Sequence, residues 1–260
     1  MSDLKKLTAG LLLGACLLSN ASHSNAAVAV TGEVSNPVSV AYTPGMRLLD
    51  VISKAEPYPN DYWLAAVWMH LPLLEQQTRL KVGVLFDLKL LQRGALLNNN
   101  AALATLAESL HGYVSRLPVT GRKIADLDPV KLEVSFAHNY LLSDGDHVIY
   151  PPRVDRVTVV GAVPKICSVP YQAMQEARDY LDHCPRLREA DADFLWLIYP
   201  DGTYKQVPIA AWNRKDGVYA VAGSTILVPV RNNIPDLPTP DLNEQLAQFL
   251  ATQLLAEVAP

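Results

Sequence analysis

The sequence predicts an α+β chain of two tandem modules of one kind, with a helical hairpin inserted in the first and an amphipathic helix at the end. Three observations predict it. The chain repeats itself at an offset of 129 residues without a gap, each copy opens with alternating apolar residues around a glycine, and residues 57 to 117 interrupt the first copy with helical periodicity. At 260 residues, 50% hydrophobic and 18% charged, the chain is long enough for one large domain or two small ones with real cores.

Residues 1 to 26 read as a secretory leader: Lys5 and Lys6, an apolar run of roughly a dozen residues from 7 to 18, and small residues ending in Ser24-Asn25-Ala26. The run is short for a membrane span. Cleavage is expected after Ala26, with Ala27 next. The stretch Leu13-Gly14-Ala15-Cys16 offers a lipoprotein-type alternative, which would make Cys16 a lipidated N-terminus. The formal charge of −4 becomes −5 once Asp3, Lys5 and Lys6 leave, and with no Lys/Arg cluster in the chain this argues against nucleic acid as a ligand. The expected compartment is the periplasm.

The repeat aligns Val28-Ala29-Val30-Thr31-Gly32-Glu33-Val34 with Val157-Thr158-Val159-Val160-Gly161-Ala162-Val163. Further identities follow at Ser39/Ser168, Val40/Val169, Tyr42/Tyr171 and Asp50/Asp179. Each copy reads as a strand, a turn at the glycine, a second strand and a helix, near 45 to 55 and 172 to 183. That is the opening of a β-grasp, or ubiquitin-like, module. Closing strands are expected at 142 to 152 and 221 to 229, each led by a glycine turn and stopped at Pro151 or Pro229.

The second copy also carries a hairpin, residues 194 to 199 and 205 to 212 around Pro200-Asp201-Gly202. In its place the first copy has the excursion at 57 to 117, with helical patterns at 73 to 91 and 101 to 117 joined across 94 to 100. After Pro235, Pro238 and Pro240, the tail gives an amphipathic helix with Leu242, Leu246, Phe249, Leu250 and Leu254 on one face. The boundaries are therefore 27 to 153 for the first module, 154 to 232 for the second, and 233 to 260 for the linker and helix.

Cys167 lies near the start of a strand, and the helix after it runs back roughly 15 Å. Cys184 thereby returns to the same end of the sheet, which permits a disulfide without requiring one; such a loop closure is worth about 3 kcal/mol in the chain-entropy model.

The paired openings resemble the soluble-ligand-binding β-grasp (SLBB-like) modules of outer-membrane polysaccharide export proteins. Val119-Thr120-Gly121-Arg122 with Leu127-Asp128-Pro129, then the 157 to 163 repeat, then Tyr199-Pro200-Asp201-Gly202 with Val207-Pro208-Ile209-Ala210-Ala211-Trp212-Asn213 resemble, in that order, the GfcC-like capsule biosynthesis family. The likeness implies a periplasmic accessory to capsule or exopolysaccharide assembly and export. The partners it implies are polysaccharide, an outer-membrane export protein and associated lipoproteins.

The ligand-binding candidates are Arg122, Lys123, Asp126 and Asp128 around the Gly121 turn, and Trp63 and Trp68 where the insertion leaves the first module. A guanidinium binds carboxylates bidentately, but Arg122 equally suits an ion pair with Asp126 or Asp128. Aromatic faces carry sugar rings, but they also fill cores, the better expectation for Trp63 and Trp68. Trp196 and Trp212 are expected in the core or between modules.

His70, His111, His138, His147 and His183 show no metal-ligand spacing, and no cofactor is expected. No nucleophile elbow or phosphate loop is present, and Asp126, Asp128 and Glu133 lack a diagnostic glycosidase spacing, so an enzyme is not the expectation. The tail helix carries glutamates and amides rather than lysines on its polar face, which disfavours an anionic membrane. It either packs on its own modules or docks on a partner.

Overall fold

The computed structural model describes residues 27–58, 62–231 and 239–255. The leader expected at 1 to 26, Cys16 included, lies outside them, as does most of the proline-rich linker.

In chain order the first module holds β1 (Ala27–Gly32), β2 (Val38–Ala41), α1 (Leu48–Ala55), β3 (Val67–Met69), α2 (Leu74–Leu97), α3 (Ala101–Arg116), β4 (Arg122–Lys123), α4 (Pro129–Val134) and β5 (His147–Tyr150). The second holds β6 (Arg156–Gly161), β7 (Cys167–Pro170), a 3-10 helix (Ala177–Asp182), β8 (Phe194–Ile198), β9 (Tyr204–Pro208) and β10 (Thr225–Val228), and α5 (Leu242–Ala251) follows. Each forms a five-stranded sheet, ordered β2-β1-β5-β3-β4 and β7-β6-β10-β8-β9, which is one permutation used twice. In both, the opening strand runs parallel to the closing strand and the other pairings are antiparallel. This is the β-grasp arrangement.

The repeat is a repeat of register. Val28 faces Val40 and Val157 faces Val169 in the two opening hairpins. Gly32 and Gly161 end their strands at φ 98° and 101°, where a Cβ would lie 2.0 Å from Tyr150 O and 2.1 Å from Val228 O. Only glycine allows both that backbone conformation and that approach.

The two helices of the insertion differ in detail from the periodic reading. α2 continues through the buried Gly94 to Leu97, and the turn is confined to Asn98, Asn99 and Asn100, with Asn99 in the left-handed region at φ 54°. Asn100 caps α3 by accepting from Leu103 N at 3.1 Å. The segment at 57 to 117 is also not wholly insertion, because β3 lies inside it; the hairpin replaces the turn between β3 and β4. The helix expected at 172 to 183 is a short 3-10 helix. Met174 sits at φ 61° and Ala177 N donates to Val218 O, so no α-helix starts earlier, and Pro185 follows.

The first core forms around Val28, Val30, Leu48, Ile52, Trp68, Val148 and Tyr150, whose hydroxyl donates to Leu127 O at 2.9 Å. The second is larger and draws in the inserted hairpin: Leu88, Leu91, Leu110 and Val114 share one apolar cluster with Leu195, Leu197 and Val228, joined through Leu246 and Phe249 of α5. The apolar face of α5 is thus covered by α2, β8 and β9. Of the two expectations for this helix, the structure shows packing on its own chain, with Leu242, Leu246, Phe249 and Leu250 all buried. Among the described residues no helix is long and apolar enough to cross a membrane.

Candidate functional site

A cleft of about 630 Å³ opens where the two modules and the chain after α5 meet. Its walls carry Tyr113 and Leu117 from α3 and the segment after it, Arg156, Thr158 and Val160 from β6, Ser168 from β7, Tyr199 and Pro200 from the β8–β9 turn, and Leu254 and Leu255 from the tail. Alternation along β6 puts Thr158 and Val160 on one face, and this face forms part of the wall.

Arg122 forms part of this wall but is itself buried, 6% exposed. Its guanidinium donates to Pro200 O, to Gln253 O at 3.1 Å and to Ala251 O at 3.4 Å. One side chain of the first module thereby holds the second module's turn and the end of α5. Around it, Gln77 of α2 accepts from Gly121 N and donates to Arg122 O, both at 2.8 Å, and Thr120 Oγ1 donates to Thr252 O at 2.7 Å. Gly202 leaves room for the guanidinium: a Cβ there would stand 3.3 Å from Arg122 Cζ. Burial pushes the guanidinium down to about 10, partly opposed by Asp201, so it remains charged at neutral pH.

The other sequence candidates are elsewhere. Lys123, next on β4, points away from the cleft, and its ammonium lies 4.0 Å from the centroid of Trp68 and 5.4 Å from that of Tyr140. Burial lowers its affinity for the proton, with Asp146 opposing. Trp68 is fully buried in the first core. Asp126 accepts from Lys131 Nζ at 2.7 Å and from Asp128 N at 3.2 Å; burial pushes its carboxyl up, but those bonds outweigh it and leave the group below the usual range. Asp128 caps α4 through Val130 N at 3.0 Å. Trp63 receives the Lys131 ammonium 5.3 Å from its ring. The structure therefore brings Asp126, Asp128 and Trp63 together around Lys131, pairs Lys123 with Trp68, and leaves Arg122 alone of the six in the cleft. The ion pair of Arg122 with Asp126 or Asp128 is absent, because its donors face the second module.

Cys167 and Cys184 are joined in a disulfide, with Cα atoms 6.4 Å apart. It ties β7 to the end of the 3-10 helix. Among the described residues no group of three His, Cys, Asp or Glu side chains is placed to hold a metal ion.

Two tryptophans separate in fate. Trp196 is buried on β8, as expected, whereas Trp212, expected in the core or between modules, is 75% exposed. The reason is that β9 ends at Pro208, so the alternation that would carry Trp212 inward stops four residues before it.

Two family models match the chain, one ending just after the first sheet and one beginning after β6. Residues 24–152 match the model described as capsule biosynthesis GfcC, N-terminal, and residues 165–255 match capsule biosynthesis GfcC C-terminal. The chain belongs to the GfcC capsule biosynthesis family. A relative from Escherichia coli (strain K12), the uncharacterized protein YjbG, is 28% identical over 243 residues, covering 92% of this chain and 96% of its own. The cleft accordingly draws on both GfcC matches: Arg122 and Thr120 fall in the N-terminal match, while Ser168, Tyr199 and Leu255 fall in the C-terminal one.

Proposed function

We propose that this protein is a non-catalytic accessory factor of capsule or exopolysaccharide assembly and export, working in the periplasm and holding polysaccharide in the cleft between its modules. The observation that carries this reading is the make-up of the cleft. Apolar walls with two tyrosine rings suit the C–H faces of sugar rings, and the Thr158, Ser168 and Tyr199 hydroxyls with Arg156 suit their oxygens. Those side chains bind and orient. The periplasmic placement rests on the leader expected at 1 to 26.

The test is calorimetric binding of the chain from Ala27 onward to the capsular polysaccharide of its own organism. Ser168, exposed on the strand β7, takes a tryptophan without disturbing the core. Ser168→Trp is expected to weaken binding at least tenfold, and unchanged affinity counts against the cleft. Release of new reducing ends from the polymer would overturn the non-catalytic assignment.

A second reading is favoured by Leu250, Leu254 and Leu255 in the same wall: the cleft takes an apolar segment of the export protein or an associated lipoprotein. A photo-crosslinker at position 168 separates the two, since it captures that partner only under the second reading.

A further inference from the structure

We infer that the face of the second module around Trp212 is a separate contact site for polysaccharide, and that it takes an acidic polymer by its carboxylates; this rests on the reading of the protein as a polysaccharide-handling factor. An indole exposed to this degree is unusual for a side chain whose transfer from water is so favourable. It is also held in place: Trp212 Nε1 donates to Asp193 Oδ1 at 3.1 Å, and Asn213 Nδ2 donates to Asp193 O at 3.3 Å. The ring is therefore a fixed plate with one edge anchored and its surface open.

The same short stretch of chain anchors an arginine. Arg186 donates from one guanidinium nitrogen to Asp191 O and Ala192 O, both at 3.3 Å, immediately before the residue that holds Trp212. Arg186 lines two shallow cavities, one of about 480 Å³ with Arg214 and Ile209, and one of about 570 Å³ with Arg188 and Arg231. Both volumes fall in the range of small-molecule sites. Arg214 in one cavity and Arg188 and Arg231 in the other thus flank Arg186, whose two carbonyl acceptors directly precede the residue that holds Trp212.

Asp182 apart, the carboxylates nearby are bonded to other groups and leave these four guanidinium groups without an ion pair among the described residues. Asp179 pairs with Arg178, which also holds Glu176 and Asp216. Asp191 turns its side chain to Asp193 N and Phe194 N at 2.7 and 3.2 Å. Asp193 turns its carboxylate to the Trp212 indole, and Asp182 stands beside Arg186 and Arg214; Arg186, Arg188, Arg214 and Arg231 form no ion pair with a described carboxylate. Guanidinium forks match carboxylates in geometry as well as charge, and an aromatic plate beside them supports the ring that bears the carboxylate. An uronate-bearing chain meets both requirements, whereas a neutral glucan meets only one.

The experiment titrates the chain from Ala27 onward with polygalacturonate, dextran, phosphatidylglycerol vesicles and the organism's own capsular polymer. The expected result is saturable binding of polygalacturonate, weakened at least tenfold by Trp212→Ala and by Arg186→Ala/Arg214→Ala, unchanged by Ser168→Trp, and at least tenfold tighter than dextran. The circular dichroism melt of each variant checks that the fold is retained. Equal affinity for dextran, undiminished binding by well-folded Trp212 and arginine variants, or binding of the vesicles in place of polygalacturonate each overturns the inference. If capsular polymer binds and only Ser168→Trp weakens it, this site falls while the cleft stands; if no polysaccharide binds at all, both fall.

Discussion

Replacing Arg122 by alanine tests whether that side chain holds the two modules together. The guanidinium reaches three carbonyl oxygens, of Pro200, Ala251 and Gln253, all in a region from which it is itself shielded. A hydrogen bond from a charged donor is worth about 1.5–3 kcal/mol net, and an acceptor left buried without a partner costs about 1–3 kcal/mol. The three bonds share one group and some water will enter, so the loss should be about 3–5 kcal/mol rather than their full sum. At about 2–4 °C per kcal/mol for a chain of this size, the melting temperature should fall by roughly 10 °C. Arg122→Lys keeps the charge but not the fork, and should fall between the two. Scanning calorimetry with parallel urea unfolding reads the effect. An Arg122→Ala protein that melts within about 2 °C of the parent, and has lost polysaccharide binding instead, would refute the structural role and make the guanidinium a ligand contact.

Three further outcomes follow from the same structure. Reducing or removing the Cys167–Cys184 bridge, which spans a sequence separation of 17, should lower stability by about 3 kcal/mol, measured as the urea midpoint with and without reductant; coincident midpoints would show that the loop is already ordered when open. Gly161→Ala places a methyl group against Val228 O at a backbone angle alanine disfavours and should cost more than about 2 kcal/mol, whereas Gly217→Ala, at positive φ but in open space, should cost only about 1 kcal/mol; equal losses would contradict the close approach of β6 to β10. Burial pushes the His147 imidazole below its ordinary 6.5, so the folded chain binds that proton less readily than the unfolded chain; its contribution is complete above about pH 6.5 and is lost as the pH falls, and His147→Gln should flatten that part of the stability profile, an unchanged slope being the contrary result.

The repeat made the two sheets legible because the residues it preserves are those that the sheet cannot vary. Gly32 and Gly161 meet a carbonyl of the closing strand, and Val28 and Val157 sit at equivalent places in equivalent hairpins. The glycine turns ahead of both closing strands were equally readable, Gly145 and Gly223 standing at φ 78° and 79°. What sequence could not supply was the environment created between segments far apart. The acceptors of Arg122 are backbone carbonyls 78, 129 and 131 residues away, and a carbonyl carries no side-chain signature. The exposure of Trp212 depends on where β9 stops, and the burial of α5 depends on a hairpin inserted in the other module. Asp126 and Asp128 lie near Arg122 in sequence, but β4 ends at Lys123, Asp126 is held by Lys131 and Asp128 caps α4, while the donors of Arg122 face the second module.

The inserted hairpin has a thermodynamic consequence. By chain order it belongs to the first module, yet its apolar face is completed by the second core and by α5. A fragment ending near residue 153 would present Leu88, Leu91 and Val114 without that cover, and one beginning near 154 would leave Phe249 and Leu246 facing water. The two sheets are thereby tied through the hairpin and α5 of the second core, and heat is expected to undo both in one transition.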